Sequence, residues 1–307
     1  MRDIEISVVM PVKNGEKRLA TVLDSVFAQE IDVGFEVIIV DSGSNDTSLE
    51  IIKKYPVEVY HIPEHKFNHG LTRNYLISKS RGEFIVLLTQ DAVPRDNYWM
   101  KKLVDELKQD SMVAGVYSRQ IPHRDASIIT RMRSQRFYAA SGERRESCIR
   151  TRGDYDNLSA NQKHKFCNFE NVSSCIRKAV WKKYPFPKTD FAEDLLWSKT
   201  VLENGFKVIY KPESVVYHSH DFSAWGWYRR NLINYSALHA IFGMNTAESL
   251  RKLPKIFFFY ALRDLCQLIK EGGCPRNIIS NIHLIPIFSF TGVLGQHLGI
   301  KNSKRRR

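Results

Sequence analysis

Between Ile6 and Pro94 the chain alternates apolar runs with stretches of helical spacing, and three of the runs stop on a polar cluster. Ile6–Val12 (ISVVMPV) ends in Lys13-Asn14-Gly15. Phe35–Val40 (FEVIIV) ends in Asp41-Ser42-Gly43-Ser44-Asn45-Asp46, and Phe84–Leu88 (FIVLL) ends in Thr89-Gln90-Asp91. Between them Leu19, Val22, Leu23, Val26 and Phe27 recur at helical spacing, and Leu49, Ile51 and Ile52 open a second helix. Val57–Ile62 reads as another strand, followed by a helix His69–Arg81 that carries Arg73 and Asn74 and is closed by Gly82. Strands joined by helical crossovers pair in parallel. The expectation is an α/β fold with a mostly parallel sheet flanked by helices.

Parallel strands deliver their carboxyl ends to one edge, where open α/β sheets bind ligands. One crevice lined by Lys13-Asn14, Asp41-Ser42 and Gln90-Asp91 is the economical reading; the alternative is that polar turns simply end every strand. Asp91 is then a candidate metal or phosphate-handling carboxylate, with helix capping before Pro94 as its plain alternative. Further on, a helix over 101–108 and a strand Met112–Tyr117 precede a basic, aperiodic region, Arg119–Lys165. This region is expected to hold a helix near Ile128–Ala140 and then a mobile loop, either a lid or a solvated insertion. Strands Val172–Ile176 and Phe206–Tyr210 flank a helix Phe191–Asn204 closed by Gly205. Glu193 and Asp194 fall in its first turn, where the helix dipole alone accounts for acidic residues. Val215–His220 (VVYHSH) places His218 and His220 two apart, on the same side of a strand.

The formal net charge of +13 calls for an anionic partner: nucleotide phosphates, anionic lipid or nucleic acid. No zinc-finger spacing, RNA-binding signature or helix-turn-helix pattern supports nucleic acid, which is set aside. Five cysteines without a CxxC pair fit a reducing cytosol better than a disulfide framework, and no secretory leader is visible. Asn277–Ile300 lacks Lys, Arg, Asp and Glu, long enough in principle for a bilayer crossing of ~20 residues. Asn277, Ser280, Asn281, Pro286, Gly292 and Gln296 dilute it, and a crossing would carry the Lys301–Arg307 cluster to the wrong side. The expectation is an in-plane interfacial helix or hairpin with its basic tail on anionic headgroups, on the inner face of the cell membrane. A soluble docking subdomain is the alternative. Residues 1–222 would form the main domain, in halves of about 1–117 and 118–222, and residues 223–307 a helical extension.

Together VVMPVKNGE, VIIVDSGSNDTS, GLTRNYLISKSRGEFIVLLTQDAVP, FAEDLLWSKTVLENGFKVIYKP and VVYHSH resemble inverting glycosyltransferases of family 2. That family has the GT-A fold, a Rossmann-like sheet. The DSGS, FNHG, TRN, TQDA and HSH forms look most like its rhamnosyltransferase branch, whose usual donor is dTDP-L-rhamnose. The resemblance implies a nucleotide-diphosphate sugar donor, a growing glycan or lipid-linked glycan acceptor, and a divalent cation, Mn²⁺ or Mg²⁺. It places Pro11, Val12 and Asn14 in the base pocket and Asp41 on the base or ribose. Arg73 would face the diphosphate or hold the acidic loop, with Gln90 among the donor contacts. Asp91 would hold the metal with His218, or with His220. Asp194 matches the catalytic base, and Glu193 would orient the acceptor. Thr89 stands where the family's first aspartate of a DxD motif usually lies, which removes one carboxylate from the metal shell. A GT-A transferase with a UDP-sugar donor is the first alternative; a sugar nucleotidyltransferase is the rival among other enzymes, and a basic binding protein the rival outside enzymes.

Overall fold

The structure is a computed structural model describing residues 3–136 and 140–305. It falls into two compact units. The first holds residues 1–121, 138–157 and 166–218; the second holds 122–137, 158–165 and 219–307.

The first unit is built on one sheet. Its strands are β1 (Ile4–Val12), β2 (Gly34–Asp41), β3 (Glu58–His61), β4 (Phe84–Leu88), β5 (Val93–Pro94), β6 (Val113–Ile121), β7 (Arg145–Cys148), β8 (Ser173–Arg177) and β9 (Lys207–Tyr217). They lie in the order β3-β2-β1-β4-β8-β6-β9-β5, with β7 also on β9. β1 pairs in parallel with β2 and β4, and β2 with β3, as the crossover spacing requires. All five residues of β4 are buried, consistent with a strand covered on both faces. Gly82 has a different role from the expected helix cap. The helix His69–Lys79 ends at Ser80 in extended backbone, and a Cβ on Gly82 would stand 2.7 Å from the Ile6 carbonyl carbon and the Ser7 nitrogen. The glycine lets the chain cross β1 at close range.

Apolar periodicity carries no strand direction, and here the structure adds to the sequence reading. β8 runs antiparallel to both of its neighbours, β4 and β6, while β9 is parallel to β6. So β1, β2, β4, β6 and β9 all end on one edge, and β8 begins there. The two strands expected near Phe206 and Val215 are a single strand, β9, whose register against β6 slips between Ser118 and Arg119. His218 and His220 lie just past its end, so strand alternation does not set their faces. The region Arg119–Lys165, expected to hold a helix and then a mobile loop, is largely structured. It contains the end of β6, helix Ile128–Ser134, β7, helix Arg152–Asp156 with a Thr151–Asp154 capping box, and helix Ala160–Phe166. The part of the expected Ile128–Ala140 helix that falls on residues 137–139 lies outside the described residues.

In the second unit the helix Leu284–Arg305 packs one face into the core. Ile285, Phe288, Val293 and Ile300 are buried. Two glycines let it meet the helix Ala224–Phe242 backbone to backbone, and a third makes room for the Trp227 ring. A Cβ on Gly295 would stand 2.5 Å from the Tyr228 carbonyl oxygen, one on Gly299 2.4 Å from that of Leu232, and one on Gly292 2.8 Å from Trp227 Nε1. Among the described residues no single helix is long and apolar enough to cross a membrane; Pro275–Ile282 and Leu284–Arg305 pass that test only as a pair bent by 44°.

Candidate active site

The shared sheet edge collects the loops after β1, β2 and β4, and side chains of one loop satisfy the backbone of the next. Gln90 clamps Lys13: the Lys13 N–H donates to Gln90 Oε1 at 2.7 Å, and Gln90 Nε2 donates to the Lys13 carbonyl at 2.8 Å. Asn14, in left-handed backbone (φ 49°), accepts from the Asn45 N–H through Oδ1 at 2.9 Å, while its own N–H donates to Ser44 Oγ at 2.9 Å. The Val12 carbonyl accepts from the Ser42 N–H at 2.9 Å. Asp41 is buried, and its carboxylate accepts from the Gly43 and Ser44 N–H groups, an Asx-type turn. In this arrangement Asp41 and Gln90 hold the loops in place. Pro11 lies at the same strand end, partly exposed.

Asp91 sits in the turn after β4, its side chain 26% exposed, with Oδ1 3.7 Å from His218 Nε2. Gln120, near the end of β6, fixes the histidine. Its Nε2 donates to Glu170, which as a carboxylate only accepts, so its Oε1 faces His218 Nδ1 at 2.9 Å. Nδ1 then donates to Gln120, and Nε2 is the ring nitrogen on the Asp91 side. Thr89 Oγ1, next to this pair in sequence, is buried without a hydrogen-bond partner. An imidazole nitrogen and a carboxylate oxygen side by side are donors of the kind a divalent cation takes. His220 follows His218 by two residues and belongs to the second unit.

The antiparallel run of β8 brings the second half of the site to the same edge. The Thr89 N–H donates to the Val172 carbonyl at 3.1 Å, and the Asn171 N–H donates to Asp194 Oδ2 at 3.3 Å. Two consecutive residues thus join the Asp91 turn to the helix Glu193–Glu203. Ala192 enters that helix with φ 65°, a left-handed conformation that costs a non-glycine residue energy and is commonest where a site is held rigid. Burial first, and the Glu193 carboxylate second, push Asp194 up to about 7; Arg73 and backbone N–H donors act in the opposite direction. Glu193 itself is committed: Oε1 accepts from Arg73 at 2.7 Å and from Asn171 Nδ2 at 3.3 Å. Both partners of that ion pair are buried. Arg73 therefore holds the acidic turn. Gly70, one turn earlier, lets its helix approach the Pro187 carbonyl to 2.4 Å from where a Cβ would stand.

The structure thus brings Asp91 and His218 together, and links Asp194, Glu193 and Arg73 to the same edge. Gln120, Glu170, Asn171 and Ala192 are the members that sequence reasoning missed. Nothing in the sequence marks Gln120 or Glu170, whose meeting depends on β6 and β8 being neighbours. Comparison with known proteins decides the class: the profile of Glycosyl transferase family 2 matches residues 7–173.

The chain belongs to glycosyl transferase family 2. The matched span of this glycosyltransferase contains Asp41, Arg73 and Asp91 and stops before Asp194 and His218. The O-antigen chain rhamnosyltransferase RfbN of Salmonella typhimurium is 30% identical over 224 residues, 72% of this chain and 68% of the relative. The O-antigen chain rhamnosyltransferase WbaN of Salmonella anatum is 30% identical over 200 residues, 64% and 60% of the two chains. Among solved structures, mannosyltransferase PcManGT from Pyrobaculum calidifontis, in complex with GDP-Man and Mn²⁺, superposes with a TM-score of 0.54 at 15% identity, covering 96% of this chain and 76% of its own. Staphylococcus aureus TarS 1–349 with UDP-GlcNAc gives 0.53 at 16%, covering 99% and 92%. These likenesses establish the GT-A fold of the glycosyltransferase.

Proposed function

We propose that this glycosyltransferase moves a sugar, L-rhamnose from dTDP-L-rhamnose, with inversion onto a growing, lipid-linked polysaccharide at the inner face of the cell membrane. The observation that carries the transfer chemistry is Asp194, a carboxylate raised toward neutrality and joined through Asn171–Val172 to the Asp91 turn. In this reading Asp194 takes the proton of the acceptor hydroxyl as that oxygen attacks the anomeric carbon. The bond from that carbon to the donor diphosphate breaks, and its electron pair leaves with the phosphate oxygen. One attack from the opposite face gives inversion. Glu193 and Arg73 position the base, and the loops after β1 and β2 shape the nucleotide pocket. Rhamnose is favoured by the two O-antigen relatives.

Asp91 and His218 would hold a divalent cation. Bound there, the cation would neutralise charge on the leaving diphosphate. Asp91→Ala is expected to abolish Mn²⁺ binding measured by titration calorimetry. Gln120→Leu, which frees the His218 tautomer, is expected to weaken it by about 10–100-fold. Wild-type Mn²⁺ affinity in both variants would remove this cluster as the metal site.

The donor is tested by offering dTDP-L-rhamnose, UDP-GlcNAc and GDP-mannose with Mn²⁺ or Mg²⁺, reading the thermal midpoint and nucleotide release. Stabilisation by dTDP-L-rhamnose alone is the expected result. Preference for a UDP- or GDP-sugar would replace the donor, and no response to any of the three would count against the reading.

A further inference from the structure

The helix Leu253–Glu271 in the second unit buries one side, where Leu268, Leu265 and Ala261 pack with Ile129, Met132 and Ile285 around an ion-pair cluster, and leaves a second apolar stripe on its outer side. Inward, buried Asp264 binds Arg133 at 3.1 Å and Arg136 at 2.6 Å, and Gln267 Nε2 donates to the Met132 carbonyl at 2.9 Å. Outward, Phe258 is 68% exposed and Phe259 62%, with Leu262 and Ile269 equally open. At 100° per residue these four side chains fall in one sector of the helix, a stripe of the kind that core-facing helices bury. Lone exposed apolar residues are ordinary, but a contiguous set of large ones marks a docking surface.

The surrounding charge identifies the occupant. Arg251, Lys252 and Lys255 stand exposed at one end of the stripe, and Lys270 and Arg276 at the other. From Leu250 to Arg305 the only acidic residues are Asp264, buried in its ion pairs, and Glu271, which accepts from Gln135 and Gln267. A second copy of this chain would set these cations against their like, whereas an anionic surface complements them. An apolar stripe between basic ends is the pattern of a helix lying in a headgroup layer. We infer that the outer face of Leu253–Glu271 docks on an anionic bilayer, its phenylalanines among the lipid headgroups. This deepens the proposed function, on which it rests for the lipid-linked acceptor, and it places the membrane contact on a different helix from the uncharged segment Asn277–Ile300.

The test is co-sedimentation of the full chain with phosphatidylcholine vesicles, with and without phosphatidylglycerol. Wild type should bind the phosphatidylglycerol vesicles. The Phe258→Ser/Phe259→Ser variant should bind on the order of 10-fold more weakly or worse, and Lys255→Glu/Lys270→Glu should lose the preference for phosphatidylglycerol. All the altered side chains are exposed, so an unchanged thermal midpoint is expected and checks the fold. Wild type that stays in solution, or a serine variant that binds as well as wild type, would overturn the inference. So would a wild-type dimer that the serine variant converts to monomer in sedimentation velocity. Vesicle binding by a protein that releases nucleotide from no donor would leave the docking face standing and remove the transfer reading. Nucleotide release without vesicle binding would do the reverse.

Discussion

Replacing Asp194 by Asn is expected to lower sugar transfer by about 10²–10⁴-fold, the range a positioned base supplies, while donor binding survives. The substitution keeps shape and removes only the ability to accept a proton, so a fold-level explanation would have to show in the thermal midpoint. Near-wild-type turnover would eliminate Asp194 as the base. The pH profile offers a second reading of the same residue. The base must be ionised, and Asp194 is raised to about 7 by burial and by Glu193, so kcat/KM should climb as pH rises through neutrality. The stability term has the opposite sign. A carboxyl whose pKa is higher folded than unfolded stabilises the native state below its unfolded value, and that contribution is lost as pH rises through the folded one.

Arg73→Ala should produce the largest loss of stability. Arg73 Nη1 and Glu193 Oε1 lie 2.7 Å apart with both side chains almost fully enclosed. Removing the cation strands a buried carboxylate, at a cost of about 3–5 kcal/mol. The double variant Arg73→Met/Glu193→Leu removes both charges and should recover much of that loss, because a well-packed apolar pair replaces such a bridge at little cost. Arg73 also lowers the Asp194 pKa, so whatever activity survives in Arg73→Ala should have its rising limb displaced to higher pH. Urea unfolding and the pH profile of kcat/KM measure the two effects. A destabilisation within ~0.5 kcal/mol, the range of an ordinary surface substitution, would show that the pair does not hold the acidic turn.

Much of the nucleotide half was legible because its strands announce themselves. β1, β2 and β4 are unbroken apolar runs stopped by turn residues, and β4 is buried throughout. β8 was legible as a strand but not in direction, since alternation and apolarity are the same read either way; Glu170 and Asn171 reach the site only because it runs antiparallel. β7 and the helices at Arg152 and Ala160 are too short to build a periodic signal. At the carboxyl end, lack of charge does not show which side chains are buried. Gly292, Gly295 and Gly299 share one face of their helix and mark a close helical crossing, whereas Phe258 and Phe259, which resemble core residues in the sequence, face outward. Asp194 was identifiable by its place in a family pattern, but the burial that tunes it was not.

The antiparallel insertion of β8 also sets a schedule for synthesis. β1 to β4 can pair as soon as Leu88 has emerged, yet β4 keeps an open, wholly apolar edge until Arg177 has been made, because β8 alone covers it. At cellular translation rates that interval lasts on the order of 10 s. For that time the nascent chain presents the kind of unpaired edge that recruits other strands. Ribosome-arrested chains ending before Ser173 should therefore be cut readily by protease within Phe84–Leu88, and chains extended well beyond Arg177 should be protected. Equal protection of both would show that another segment shields the edge first. The residues leading into β8, which tie the two halves of the site together, are then also the ones that end the chain's most exposed moment.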